Sequence, residues 1–190
     1  MTRVRAGAAL LLLLAGVGGG EAASFTLGER QMQEAIEVGE RSVTRDGLGD
    51  EWRVRNAAGD VATVMTPFHR LAIAARHAAF RKQPLKPRDR DRLLKEQHER
   101  LVFWVELKGA QEDFARFYAP RLVVGPRVVE PSFTQNERTL PRAEDGKFLA
   151  RCVYGFPTKA LSGTGKVVLV VRDSDGRDVS SFTIDLASMR

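Results

Sequence analysis

Cys152 is the only cysteine of the 190-residue chain and the first candidate for chemistry; it lies in the segment FLARCVYGFP, residues 148–157. A nucleophilic cysteine needs a lowered pKa, usually from a histidine or a helix amino end, and the middle of a strand supplies neither. The alternation leaves both faces of this segment mixed, so it does not indicate which face is buried. We expect a buried free thiol that packs as a small apolar residue, with an intermolecular disulfide as the alternative.

Three histidines, His69, His77 and His98, are the next candidates. His69 and His77 lie in one predicted helix, about 80° apart around its axis at about 100° per residue. Histidine pairs that bind zinc on a helix are usually three or four residues apart, whereas these are eight apart. We therefore expect no metal site and no cofactor. A hydrolase that pairs His69 or His77 with a carboxylate stays open as an alternative.

The segment RDSDGRD, residues 172–178, has the acidic spacing with which a calcium loop begins. An EF-hand loop continues to a glutamate at its twelfth position, where this chain has Ile184. A hairpin turn with Asp175 and Gly176 at its tip explains the segment without a metal.

The segment VEPSFTQNERT, residues 129–139, is the strongest candidate for recognition. It combines an aromatic ring, amides and charges where a predicted strand ends in a loop, a common place for binding groups. An ordinary turn, in which Asn and Thr bond to nearby backbone, is the alternative. The predicted binding residues are Phe133, Gln135, Asn136 and Arg138, with Tyr118 and Arg121 close by.

The amino-terminal residues are typical of a secretory signal peptide. A positively charged start (residues 1–5) precedes an uncharged apolar run (6–20) and small residues before Ala22. The run is shorter than the roughly 20 residues that cross a bilayer, so we expect cleavage after Ala22 and no membrane span afterwards. A retained anchor helix is the alternative. The predicted location is the periplasm or the extracellular medium.

The charge balance is basic but mixed. The whole chain has a formal charge of +6, and removal of Arg3, Arg5 and Glu21 with the signal peptide leaves +5. Such a balance suits polyanions, yet acids and bases alternate, as in KPRDRDRLLKEQHER (86–100), instead of forming one stripe. We expect a mixed solvated surface and no specific nucleic acid. The partner classes that remain are another envelope protein and an envelope polyanion.

The first half of the chain predicts helices and one hairpin. Residues 29–41 place Met32, Ala35, Ile36 and Gly39 at helical spacing. Alternation on both sides of the turn NAAGD predicts a β-hairpin over 52–65. Thr66 and Pro67 are a good helix start, which predicts a helix to about residue 82 and, after QPLKP, a second from about 88 to 100.

The second half predicts strands. β-Branched and aromatic residues alternate in the segments LVFWVELKG, RLVVGPRVVEPSFTQN, KFLARCVYGFP, GKVVLVVRD and DVSSFTIDL. This pattern resembles immunoglobulin-like modules over roughly residues 101–188, a likeness of pattern that transfers no function. The predicted class is α+β: helices and a β-hairpin (23–100) packed against an antiparallel β-sandwich (101–190), with 23–190 as one compact unit.

These features predict an exported soluble protein of the cell envelope with a non-catalytic binding or structural accessory role. Sandwich loops bind partners readily, and the chain has no G-x-S-x-G nucleophile elbow.

Overall fold

The structure is a computed structural model that describes residues 23–137, 142–143 and 145–190. The predicted signal peptide, residues 1–22, lies outside them. Within the described residues the helices are α1 (Glu29–Arg41), α2 (Pro67–Phe80) and α3 (Pro87–Gln97). The strands are β1 (Arg53–Arg55), β2 (Val61–Met65), β3 (Arg100–Gly109), β4 (Ala119–Val124), β5 (Arg127–Val129), β6 (Phe133–Gln135), β7 (Phe148–Pro157), β8 (Lys166–Arg172) and β9 (Asp178–Asp185).

The strands form two antiparallel sheets. The five-stranded sheet has the order β1-β2-β3-β7-β6, and the four-stranded sheet has the order β5-β4-β8-β9. The predicted α+β class with antiparallel, sandwich-like sheets is confirmed. The predicted hairpin is also present as β1 and β2, and its second strand pairs with β3. The five-stranded sheet therefore includes strands from both sides of residue 100.

The two sheets bury one continuous apolar core between them. Alternate residues of β3 point inward because side chains alternate along a strand. The inward residues of the five-stranded sheet include Leu101, Phe103, Val105, Cys152, Tyr154 and Phe156, and those of the four-stranded sheet include Leu122, Leu169, Val171, Phe182 and Ile184.

Helices α2 and α3 are inserted between two strands that are neighbours in the sheet, β2 and β3. Thr66 begins α2 by accepting a hydrogen bond from the His69 backbone N–H, as its sequence predicted. Phe68 and Leu71 of α2 join the core. The helices therefore lie at the end of the five-stranded sheet where β2 ends and β3 begins.

Helix α3 is shorter than predicted, because it ends at Gln97 and not near Arg100. The Gln97 amide donates to the Met65 carbonyl, and Glu99 turns the chain with a left-handed φ of 59°. Arg100 then pairs with Pro157 as the first residue of β3. Strand pairing with β7 therefore overrides the helical pattern at this position.

Gly39 allows α1 and α2 to approach closely. A Cβ atom at this position would lie 2.1 Å from the Ala72 carbonyl oxygen and 2.8 Å from Ala75 Cβ. Ala35 of α1 is also fully buried. The contact between the helices is therefore made by small residues and backbone.

Gly39→Ala should destabilise the protein. Overpacking costs about 1–3 kcal/mol, and the better helix propensity of alanine offsets about 1 kcal/mol of it. We expect a net decrease of up to about 2 kcal/mol in the free energy of unfolding, measured by chemical denaturation. Glu40→Ala, at the exposed neighbouring position, should change it by less than about 0.5 kcal/mol. An increase in stability for Gly39→Ala would contradict the close approach.

Candidate functional site

One face of the five-stranded sheet points away from the core and carries two exposed aromatic rings. Trp104 is 48% exposed and Phe133 is 42% exposed. An exposed large apolar patch is unusual on a soluble domain and commonly marks a binding surface. We call this surface the outer face; its residues are Thr63, Val102, Trp104, Phe133, Gln135, Val153 and Gly155.

Strand register arranges the outer face in two rows. Trp104 lies opposite Thr63 on one side and Val153 on the other, and Gln135 continues this row. In the next row, Gly155 lies between Val102 and Phe133. Trp104 and Phe133 are two strands apart, about 10 Å across the sheet at about 4.8 Å per strand. The surface between the two rings is therefore formed by the smaller residues of β7, Val153 and Gly155.

The absence of a side chain at Gly155 leaves space for Arg100 on the outer face. A Cβ atom at Gly155 would lie 2.9 Å from Arg100 Cδ and 3.3 Å from Phe133 Cβ. The aliphatic stem of Arg100 therefore crosses the sheet over the glycine and lies beside Phe133. This places a cationic side chain next to the exposed ring.

Two clefts meet at Arg70 and Glu96, beside the outer face. The sheet cleft, about 240 Å³, has the outer face as its floor and Arg70, Glu96 and Arg100 at its rim. The helix cleft, about 370 Å³, lies between α2 and α3 and contains His77 and Arg81. Both clefts are lined by Arg70 and Glu96. They are therefore adjacent parts of one depression.

The arginines around the outer face have no carboxylate partner within the described part of the chain. This group consists of Arg53, Arg70, Arg100 and Arg151. By contrast, on the four-stranded sheet Arg172 lies 2.8 Å and Arg121 3.3 Å from Asp178. The cations near the outer face therefore keep their hydrogen-bond donors available to a ligand.

A larger cleft, about 400 Å³, lies between the end of α1 and Arg190. Its central guanidinium is already paired, since Arg190 lies 3.0 Å from Glu51 and 3.3 Å from Glu34. Arg190 also stacks over Phe68 at 5.0 Å. These contacts join segments of the fold, so we place the candidate site at the outer face.

Two of the predicted binding residues, Phe133 and Gln135, lie on the outer face. Arg138 lies outside the described residues. Trp104 and Arg100 were not selected from the sequence, although they share this surface. The outward position of Trp104 follows from its alternation with the buried Phe103 and Val105, but its place in one cleft with Phe133 depends on strand pairing across the sheet.

The other predicted binding residues bond within the protein. Asn136 donates to the Tyr118 carbonyl at 2.8 Å and accepts from the Tyr154 hydroxyl at 3.0 Å. Arg121 pairs with Asp178 on the four-stranded sheet. Asn136 therefore connects β6 to β7, while Arg121 lies on a different sheet from Phe133. Their binding roles stay predictions.

Cys152 is a buried free thiol, only 1% exposed, on the core side of β7. Burial raises the pKa of its thiol, and burial likewise raises the pKa of the Tyr154 hydroxyl. A raised pKa leaves less thiolate at neutral pH. The cysteine is thus placed for packing, not for nucleophilic attack.

His69 is also buried, at 2% exposure. Its ring stacks on Trp52 with centroids 4.1 Å apart, and Nδ1 lies 3.0 Å from the Val64 carbonyl, so Nδ1–H is the donor. Burial lowers the pKa of His69, and the weaker opposing effects come from that carbonyl and from the charge of Glu51. His77 is exposed in the helix cleft. Among the described residues no group of three or more His, Cys, Asp or Glu side chains converges as a metal site.

The free energy of unfolding should decrease as the pH falls from 7.5 to 5, the range in which histidine side chains titrate. The pKa of His69 in the folded state lies below its ordinary value of 6.5. Below that value the unfolded chain binds a proton that the folded chain rejects, so the contribution is intact above pH 6.5 and decreases as the pH falls toward the folded-state pKa. We expect the free energy of unfolding of the wild type to decrease between pH 7.5 and pH 5, measured by denaturant unfolding.

His69→Gln should be less stable than the wild type at pH 7.5, but its free energy of unfolding should change little between pH 7.5 and pH 5. His77→Gln should show the same decrease over this range as the wild type. Contacts with Lys108, the Arg177 backbone and Arg172 lower the pKa values of Asp145, Asp173 and Asp178 respectively. Their contributions are lost only below the ordinary carboxyl value of 3.8, outside the tested window. An unchanged pH dependence in His69→Gln would contradict the assignment.

Comparisons with known proteins give no relative. No protein-family model matches the chain, and neither a curated protein nor a solved structure matches it. In the described part of the chain, no helix combines the length and apolar character needed to cross a membrane. The site is therefore interpreted from its own geometry.

Trp104 should report the charge of the outer face by fluorescence quenching. The other tryptophan, Trp52, is buried. Arg70 and Arg100, which have no carboxylate partner among the described residues, line the same cleft as Trp104. At low ionic strength we expect iodide to quench more strongly than caesium, by about twofold, because the arginines attract the anion. Trp104→Phe should remove most of the quenching. Equal quenching by iodide and caesium in the wild type would contradict an excess of positive charge around Trp104.

Proposed function

We propose that this chain is an exported, non-catalytic binding protein of the cell envelope and that the outer face holds its partner. The observation that carries the proposal is an exposed tryptophan in the middle of a sheet, accompanied by Phe133 and by arginines without carboxylate partners among the described residues. Structural aromatic rings are normally buried, so two rings left at one surface favour a recognition role.

The available binding energy supports a mixed apolar and ionic ligand. Covering the exposed parts of Trp104 and Phe133 removes roughly 200 Å² from water, worth about 5 kcal/mol at about 25 cal/mol/Å². Association costs about 4–15 kcal/mol in lost freedom. The rings alone are therefore insufficient, and Arg70 and Arg100 must contribute charged hydrogen bonds.

The position of the rings on paired strands favours binding over chemistry. Trp104 lies on β3, which pairs with β7 along ten residues. Such a scaffold holds the surface in one shape before a ligand arrives. The export part of the proposal depends on residues 1–22, whose charged start, apolar run and small residues are typical of a signal peptide.

The alternative envelope hydrolase has weaker support. His69 donates to a carbonyl and not to a carboxylate, and it is shielded from solvent. His77 is accessible, but the described residues show no hydrogen-bonded carboxylate partner for it. A general base needs both reach and orientation.

Cell fractionation of the tagged full-length chain tests the proposal. In its source cell the wild type should be found outside the cytoplasm and attached to envelope fragments. The double substitution Trp104→Ala with Phe133→Ala should be exported but should lose at least about 90% of that attachment, since the rings supply about 5 kcal/mol of gross binding energy.

Phe80→Ala is the matched control, because Phe80 is 76% exposed on α2 and lies outside the outer face. It should stay attached. Circular dichroism and unfolding midpoints should match among the three proteins. Wild-type protein in the cytoplasm would contradict export, and undiminished attachment of the double variant would contradict binding by the outer face.

A further inference from the structure

The sheet cleft and the helix cleft form one path across the surface. They share Arg70 and Glu96, so a chain that lies on the outer face leads directly into the space between α2 and α3. We infer, on the basis of the proposed function, that this path binds a carboxylate-bearing glycan whose sugar rings lie on the outer face.

The aromatic rings suit the apolar side of a sugar. A sugar ring presents a row of C–H groups on one face, and the negative face of an aromatic ring attracts the positive edge of such groups. Trp104 is accessible from above because it projects from the sheet between the smaller side chains of Thr63 and Val153. Phe133 supplies a second platform about 10 Å across the sheet.

The arginines suit carboxylates along the same path. Arg100 lies beside Phe133, and Arg70 stands where the two clefts meet. Arg81 lies further along, in the helix cleft. A guanidinium binds a carboxylate with two parallel hydrogen bonds, so these positions provide successive sites for acidic sugars.

The acidic and amide groups favour a ligand that carries hydroxyl groups. Glu96 lies between the two clefts without an ion-pair partner among the described residues, and Gln135 lies on the outer face. Their oxygens accept hydrogen bonds from sugar hydroxyls. Each unit of a uronate chain also offers hydroxyl donors to Glu96, whereas polyphosphate offers none, so polyphosphate fits less well.

The dimensions favour a glycan over a folded protein partner. The two clefts, about 370 and 240 Å³, are of the size that binds small ligands. A standard protein interface covers about 800 Å² on each partner with an apolar centre. Among the residues that line the two clefts, Trp104 and Phe133 are the exposed large apolar side chains. Charged side chains, including Arg70, Arg81 and Glu96, lie among smaller apolar ones along the remainder of the path.

Fluorescence titration of Trp104 in the purified full-length protein tests the inference. The probes are hexamers of galacturonate and of glucuronate, with maltohexaose as the neutral sugar and hexaglutamate as the acidic peptide. At least one uronate hexamer should bind saturably, and at least tenfold more tightly than maltohexaose or hexaglutamate, which corresponds to about 1.4 kcal/mol.

Arg70→Gln with Arg100→Gln should weaken uronate binding at least tenfold. Arg127→Gln, an exposed arginine on β5 of the other sheet, is the matched control and should leave it unchanged. Equal unfolding midpoints establish that the variants are folded. Absence of binding by both uronate hexamers, equal binding of either comparison probe, or an equal loss in the control would overturn the inference.

The two proposals fail in different ways. If the wild type attaches to envelope through Trp104 and Phe133 but binds neither uronate hexamer, the glycan inference is wrong and the binding function stands. If the Trp104→Ala, Phe133→Ala variant attaches normally, the proposed function itself is wrong.

Discussion

The pairing of β3 with β7 is the constraint on which the rest of the structure depends. Ten residue pairs join Arg100–Gly109 to Phe148–Pro157. Because side chains alternate along a strand, this register sends Phe103 and Val105 into the core and Trp104 outward. A shift of one residue would bury the charged positions and expose the apolar ones, so the core and the outer face specify the register together.

The helices connect this pairing to the site. The chain leaves the sheet after β2, forms α2 and α3, and returns as β3 beside the strand it left. This excursion places Arg70 and Glu96 at the end of the sheet where Val102, Gly155 and Phe133 form a row. The close contact at Gly39 packs α1 against α2, so the helical layer that borders the site is itself supported from behind.

Local sequence patterns predicted the individual helices and strands better than they predicted which strands pair with each other. The spacing of Met32 and Ala35 predicted α1, and Thr66 with Pro67 predicted the start of α2. Partners far apart along the chain were not predictable, because alternation specifies which residues share a face but not which strands pair. Phe133 was selected for its local sequence, whereas Trp104 became a candidate only when β6 and β3 were seen to flank β7.

Gly155 has a consequence for selectivity. The space left by its missing side chain is covered by the aliphatic stem of Arg100, a flexible side chain with no ion-pair partner among the described residues. The Arg100 side chain can move away from Gly155 by changing rotamer, at a small cost in free energy, while the strands stay in place. The surface can thus accept units of differing bulk beside Phe133.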